Sequence, residues 1–189
     1  MARTDFREAE GEAVRSAACL MAAAARTAPK TRGDDSVRTM IVDGEDLEVL
    51  AIAMEAKVRE KAHPLKFFAR DAVDVRNSAA VLLIGVTGEP KKPDNPLNCG
   101  ACGKGSCAEF IGVVQEEGED FRGPLCFFQS IDLGIALGSA VKVASELNVD
   151  NRIMYTIGAA ARKAGFLECD VIIGIPLSVS RKNPYFDRP

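Results

Sequence analysis

Tryptophan is absent from this chain of 189 residues, tyrosine occurs twice and histidine once, as His63. A single histidine excludes metal sites that combine a cysteine knuckle with a histidine pair. His63 stands before Pro64 in a stretch that reads as a surface loop, away from any candidate ligand. The shortage of large rings leaves few surfaces on which a planar ligand could stack. There is no basic stripe, and the formal net charge is −3, which argues against nucleic acid and anionic lipid as partners. The uncharged stretch Ser16–Ala25 near the start reaches about half a membrane span. It follows Asp5, Glu8 and Glu10, so neither a signal peptide nor membrane insertion is expected. No glycine-rich phosphate loop, dinucleotide fingerprint or nucleophile elbow is found, and nothing nominates an acid–base pair.

What remains is a globular composition, 47% hydrophobic, with a length that suits one domain with one substantial core. The expected organisation is a single α+β domain over residues 1–189, a small sheet wrapped by helices. Apolar residues at Phe6, Ala9, Ala13, Ala17, Met21 and Ala24 predict a first helix ending near Ala28, before Pro29. Met40–Val42 predict a short strand. Asp43 is the expected cap of a second helix with Leu47, Leu50, Met54 and Val58 on its apolar face. Lys66–Asn77 predict a third. Ala80–Val86 and Val171–Leu177 read as buried strands, being short apolar runs without alternation. The segment Ser130–Leu147 is apolar on nearly every side, which predicts a helix buried all round or packed against a second subunit, hence a homodimer. Asp150 is the expected cap of a last helix running to about Lys163 and closed by Gly165.

The chemistry concentrates in NCGACGKGSC, residues 98–107, where Cys99, Cys102 and Cys107 lie among glycines after the proline-rich loop EPKKPDNPLN. Cys126 is the nearest fourth sulfur and gives C-x2-C-x4-C-x18-C. Four thiolates in such a pattern favour an iron–sulfur cluster. Zinc ranks second, because the second C-x2-C knuckle of the usual structural site is missing. A disulfide framework ranks third, because such frameworks belong to short secreted chains, and a cytoplasmic protein keeps its thiols reduced. Gly100, Gly103 and Gly105 allow the tight turns by which backbone N–H groups approach sulfur, and Lys104 adds a positive charge. Residues 95–127 are therefore expected to form an inserted cluster-binding module. Its fourth cysteine would lie close to the positive end of the apolar helix.

The segment NCGACGKGSCAEF with its later cysteine resembles the four-cysteine [4Fe-4S] module found in the Rnf electron-transport complex and in the corrinoid iron–sulfur protein. The resemblance implies that Cys99, Cys102, Cys107 and Cys126 are the ligands. It departs after the fourth cysteine, where Phe127 stands in place of the proline frequent in those proteins. AARTAPKTRG near the start and GIPLSVSRKNPYFDR near the end resemble the prokaryotic family described as containing a ferredoxin domain. That resemblance implies one [4Fe-4S] cluster. The order AAARTAPKTRG, strand, SIDLGIALGSAVKVASELNV and DVIIGIPL followed by basic residues is similar to a nitroreductase. This implies a nitroreductase-like fold, an FMN-binding homodimer built around a buried central helix. The family's arginine-rich opening segment has few counterparts here beyond Arg3 and Arg7.

Three functions follow as expectations. The first is one-electron transfer by an iron–sulfur protein to a redox partner protein, in the cytoplasm. The second is a flavin-dependent nitroreductase-like oxidoreductase fed by the cluster. A redox- or iron-sensing protein is a third. For the flavin reading, FMN would need cations, and Arg26, Lys30, Arg32 and Arg181, with Lys182, are the candidates. Their plainer reading is charge at a helix C-terminus or after a strand. FMN is expected to be absent or weakly bound. Cys19 and Cys169 read as small buried hydrophobes. The acidic run Glu116, Glu117, Glu119 and Asp120 reads as a solvated loop that a basic redox partner could meet.

Overall fold

The computed structural model describes residues 3–60 and 65–186; His63 lies outside them. Two long antiparallel pairings build the sheet. Strand β2 (Ala80–Val86) pairs with β1 (Arg38–Asp43) on one side and with β6 (Val171–Ser178) on the other, and the short β5 (Asp150–Asn151) closes the order β1-β2-β6-β5. Every residue of β2 is buried, because helices cover both faces of the sheet, and this explains why its sequence does not alternate. The even residues Leu82, Ile84 and Val86 meet helices α1 (Phe6–Thr27) and α5 (Phe127–Glu146). Val81 and Leu83 meet α2 (Asp46–Glu60), α3 (Phe67–Arg76) and α6 (Tyr155–Lys163) on the opposite face. α6 lies so close to β6 that a Cβ on Gly158 would sit 1.7 Å from the carbonyl oxygen of Ile172, so glycine is required there.

Helix α1 starts where Asp5 accepts hydrogen bonds from the N–H groups of Arg7 and Glu8, and it stops before Pro29 as expected. Its buried stripe is Val14, Ala17, Ala18, Met21 and Ala25. Phe6, Ala9 and Ala13 of the expected stripe are exposed, because the first two turns bury no residue in the sheet. Cys19 is also exposed, one position outside the stripe, which corrects its reading as a buried hydrophobe.

Two expected caps are not found. Asp43 is the last residue of β1 and pairs with Arg15, and α2 begins three residues later. Asp150 lies in β5, and α6 starts only at Tyr155. In both places the aspartate ends or forms a sheet strand, so sheet pairing outweighs the local capping preference. Val58 is half-buried, and Lys57 takes the buried place beside it. The acidic run is not a bare loop either. β3 (Glu116–Glu117) and β4 (Arg122–Gly123) form a small hairpin. In it Glu117 takes two hydrogen bonds from Arg162, both at 2.7 Å. Asp120 lies 2.9 Å from the Lys57 ammonium.

Helix α5 departs most from its expected environment. It begins at Phe127, three residues earlier than the periodicity predicts, and it is not buried all round. Gln129, Asp132, Leu133, Ala136, Leu137, Ala140 and Ala144 face inward. Phe127, Ile131 and Ile135 keep 47%, 36% and 38% of their surface exposed. By length and composition it is the one described helix that could cross a membrane. It is instead a packed element of this fold, in the same core as α1 and the sheet.

Candidate cluster site

The four cysteines come from two separate places in the chain and line one small pocket. Cys99 and Cys102 lie in the loop after β2, Cys107 opens the short helix α4 (Cys107–Ile111), and Cys126 is the N-cap of α5. All four are free thiols. Phe110, Phe127 and Pro90 form apolar wall, and Lys104 supplies the charge anticipated from the sequence. Among the described residues, no three Cys, His, Asp or Glu side chains converge as a site for a single metal ion.

Local chemistry shapes the three-cysteine loop. Gly100 and Gly103 adopt φ of 74° and 79°, in the left-handed region that glycine enters at no steric cost. Asn98, at φ 47°, is one of the few other residue types that tolerate this region, and its Oδ1 accepts the N–H of Cys107 at 2.8 Å. That bond closes the loop across its nine residues. Ser106 caps α4 by accepting the N–H of Glu109 at 3.1 Å, and the Glu109 carboxylate turns back to accept the N–H of Gly105 at 2.9 Å. The N–H of Gly103 donates to the Gly100 carbonyl at 2.9 Å. The amides of Gly103 and Gly105, expected to approach sulfur, are therefore engaged within the loop itself.

The proline-rich segment between β2 and Cys99 is held largely by side chains, since Pro90, Pro93 and Pro96 have no N–H to donate. The Gly88 N–H donates to the Asp170 carboxylate at 2.6 Å, and the Gly88 carbonyl accepts the Cys126 N–H at 2.8 Å. The Glu89 carbonyl accepts from the Gln129 amide at 2.7 Å. The Lys91 ammonium lies 2.9 Å from Asp132, and the two side chains are 1% and 0% exposed. The same ammonium donates to the Asp34 carbonyl at 2.7 Å and to Ser36 Oγ at 3.1 Å. Asp132 also accepts the N–H of Thr31 at 2.9 Å and its hydroxyl at 2.8 Å. Removing one partner of such a buried pair strands the other charge, at a cost of about 3–5 kcal/mol. None of Lys91, Asp132, Gln129 and Asn98 stands out as a site residue in the sequence. Asp132 does carry a visible signal, a carboxylate on the inward side of an otherwise apolar helix.

The cations considered for a flavin are placed in two groups. The Lys30 side chain is only 6% exposed and donates to the carbonyls of Ala25 and Arg26 at the end of α1, in keeping with charge at a helix C-terminus. Arg26 pairs with Asp35 at 2.5 Å. Arg32 donates to the Asn95 carbonyl and so helps to pin the proline-rich loop. Arg181 is exposed beyond β6, where Lys182 lines an open pocket with Arg7, Ser178 and Ser180 at the opposite end of α1. Arg7 and Arg26 are separated by about 28 Å of helix at about 1.5 Å per residue, so within one chain the two groups do not converge. Cys169 is buried beside Gly85, and burial pushes its thiol up from 9.0 to about 11, in keeping with an inert packing role.

A helix-covered antiparallel sheet with a pocket lined by four cysteines defines the class, and the fold is that of the nitroreductases. A nitroreductase family protein from Clostridium novyi NT matches with a TM-score of 0.52 and 18% identity, covering 92% of this chain and 77% of that one. An oxidoreductase containing FMN matches with a TM-score of 0.54 and 15% identity, over 89% of this chain and 68% of that one. An FMN- and NADPH-dependent nitroreductase from a Sphingopyxis strain matches with a TM-score of 0.56 and 13% identity, over 93% and 83%. The chain belongs to the family described as uncharacterised proteins containing a ferredoxin domain. Residues 122–188 match that family, and an uncharacterised protein of Archaeoglobus fulgidus is 50% identical over 179 residues, 95% of this chain and 94% of the relative. The matched residues include Cys126 and the C-terminal segment GIPLSVSRKNPYFDR singled out above.

Proposed function

We propose that Cys99, Cys102, Cys107 and Cys126 hold one [4Fe-4S] cluster and that the protein carries single electrons between redox partners. The observation that carries this reading is that four free thiols from two distant segments line one pocket. The ferredoxin domain in the family description supports it. Four thiolates on one tetrahedral zinc would lie about 3.8 Å apart, given a Zn–S bond of about 2.3 Å. Among the described residues no such compact group is found, and four thiols lining one pocket suit a cluster with an iron for each thiolate. Bound there, such a cluster takes up and returns one electron. The protein's own part is to supply the thiolates, to give the pocket an apolar side with Phe110, Phe127 and Pro90, and to offset negative charge with Lys104. The N–H groups of Phe127 and Phe128 add to this, since the first turn of a helix has no intrahelical acceptor for them.

We infer further that the protein is a cytoplasmic homodimer that meets a redox partner protein. The exposed apolar face of α5, with Phe127, Ile131 and Ile135, supports the dimer. The acidic hairpin is a weaker candidate for partner docking than its sequence suggests, because Arg162 and Lys57 already offset Glu117 and Asp120.

A flavin-dependent oxidoreductase is the second reading, favoured by the fold and by the pocket where Arg7 and Lys182 meet Ser178 and Ser180. Two cations are few for a flavin phosphate, which carries close to two negative charges. Weak or no FMN binding is expected.

Visible and electron paramagnetic resonance (EPR) spectra of protein purified without oxygen, before and after dithionite, decide between the readings. A broad absorption that bleaches on reduction, with about four iron and four sulfide per chain, is expected. One zinc per chain without sulfide would overturn the cluster. Saturable FMN binding at sub-micromolar affinity, lost in Arg7→Ala, would promote the oxidoreductase.

A further inference from the structure

The two halves of the cysteine pocket belong to different parts of the fold. Cys99, Cys102 and Cys107 hang from a loop in which three of the ten residues before Cys99 are prolines, and Cys126 sits on the end of a rigid helix of 20 residues. A loop poor in N–H donors makes few backbone bonds, and the one from the Cys126 N–H to the Gly88 carbonyl lies at its start, so beyond Gly88 its position relative to α5 is set largely by side chains. Lys91 follows Pro90, a wall residue of the cysteine pocket. Asp132 lies six residues beyond Cys126 on α5, about 9 Å along the helix axis.

We propose that the buried Lys91–Asp132 pair is the positioning device of the cluster site, holding the three-cysteine loop in register with Cys126. This rests on the cluster reading above. All three protons of the Lys91 ammonium have acceptors, namely Asp132, the Asp34 carbonyl and Ser36, so the group is not kept for a ligand. Asp132 in turn binds Thr31 through both N–H and hydroxyl, so one carboxylate gathers the segment after α1, the proline-rich loop and α5. An apolar contact in this place would be non-directional and would let the loop slide. Three directional donors on one carboxylate fix both distance and angle. Lys91 and Asp132 act on the cluster through the backbone that carries its ligands, and neither touches it.

The test compares Lys91→Met with the double variant Lys91→Met/Asp132→Asn, both prepared without oxygen as the full chain. The single variant strands a carboxylate and is expected to melt well below the wild type. The double variant leaves no buried charge, and the amide oxygen of the introduced asparagine still accepts from Thr31, so it is expected to melt near the wild type. Both are expected to release iron to a chelator at least tenfold faster than the wild type, and the double variant is expected to show altered EPR g-values after reduction. A double variant that folds and keeps both the wild-type iron-release rate and the wild-type spectrum would overturn the positioning role and leave the cluster reading standing. A double variant that fails to melt cooperatively would overturn the proposal too, by making the pair a requirement of folding. Wild-type protein devoid of iron and sulfide would overturn the cluster reading itself.

Discussion

The N–H of Cys126 donates to the carbonyl of Gly88 at 2.8 Å. This one bond joins the cap of α5 to the first turn of the loop that carries the other three cysteines. Residues 38 positions apart in sequence are thereby held in contact, and the pocket has four thiols where either segment alone would offer three or one.

Serine in place of Cys99, Cys102, Cys107 or Cys126 is expected to lower the iron content to well under half, because serine is a harder and more basic ligand than thiolate. Cys19→Ser and Cys169→Ser should keep it. Iron and acid-labile sulfide assays check this. Full iron in Cys126→Ser would move the fourth ligand elsewhere.

Asn98→Ala removes the acceptor that closes the cysteine loop. One hydrogen bond of this kind contributes about 1 kcal/mol, so iron loss to a chelator should speed up about fivefold. The site is exposed, and the melting temperature should fall by less than about 3 °C. An unchanged loss rate would mean that the glycine turns alone hold the loop.

Gly158→Ala places a methyl group 1.7 Å from the Ile172 carbonyl oxygen, and backbone cannot yield as a side chain can. Separation of α6 from β6 should cost about 3 kcal/mol, lowering the melting temperature by roughly 6–12 °C in a chain of this size. Thermal unfolding followed by circular dichroism measures it.

Burial raises the Cys169 thiol from 9.0 to about 11. The unfolded chain therefore gives up this proton above pH 9.0, while the folded chain keeps it until about pH 11. The unfolded state binds fewer protons in that window, so the stability is fully present below the lower value and falls as pH rises towards the higher one. The loss is at most about 2–3 kcal/mol. Tyr185, which burial raises from 10.0 to about 12, extends the fall to higher pH. Denaturant titrations at about pH 8, 9 and 10 should show a shallower decline in Cys169→Ala than in the wild type.

Light scattering should give about twice the chain mass of 20.2 kDa for the wild type. Ile135→Lys, which puts a charge on the exposed face of α5, should give the monomer. A wild-type monomer at micromolar concentration would remove the dimer from the proposal.

Elements whose signals are local are legible in the amino-acid order. The α1 stop before Pro29, the unbroken apolar runs of β2 and β6 and the cysteine spacing all follow from residues close to one another in the chain. Local preference gives way where a distant partner competes for the same residue. Asp43 and Asp150 are good caps by composition, yet strand pairing claims them, and Cys19 misses the buried stripe by one position. Three features exist only in the folded chain: the open face of α5, the bond from Arg32 to the cysteine loop at Asn95, and the meeting of Lys91 with Asp132 inside the protein. The difference is one of range. Periodicity and turn chemistry act over a few residues, whereas a buried charge is tolerable only opposite a partner that folding brings from elsewhere. Lys91 and Asp132 are 41 positions apart, and nothing in either neighbourhood names the other.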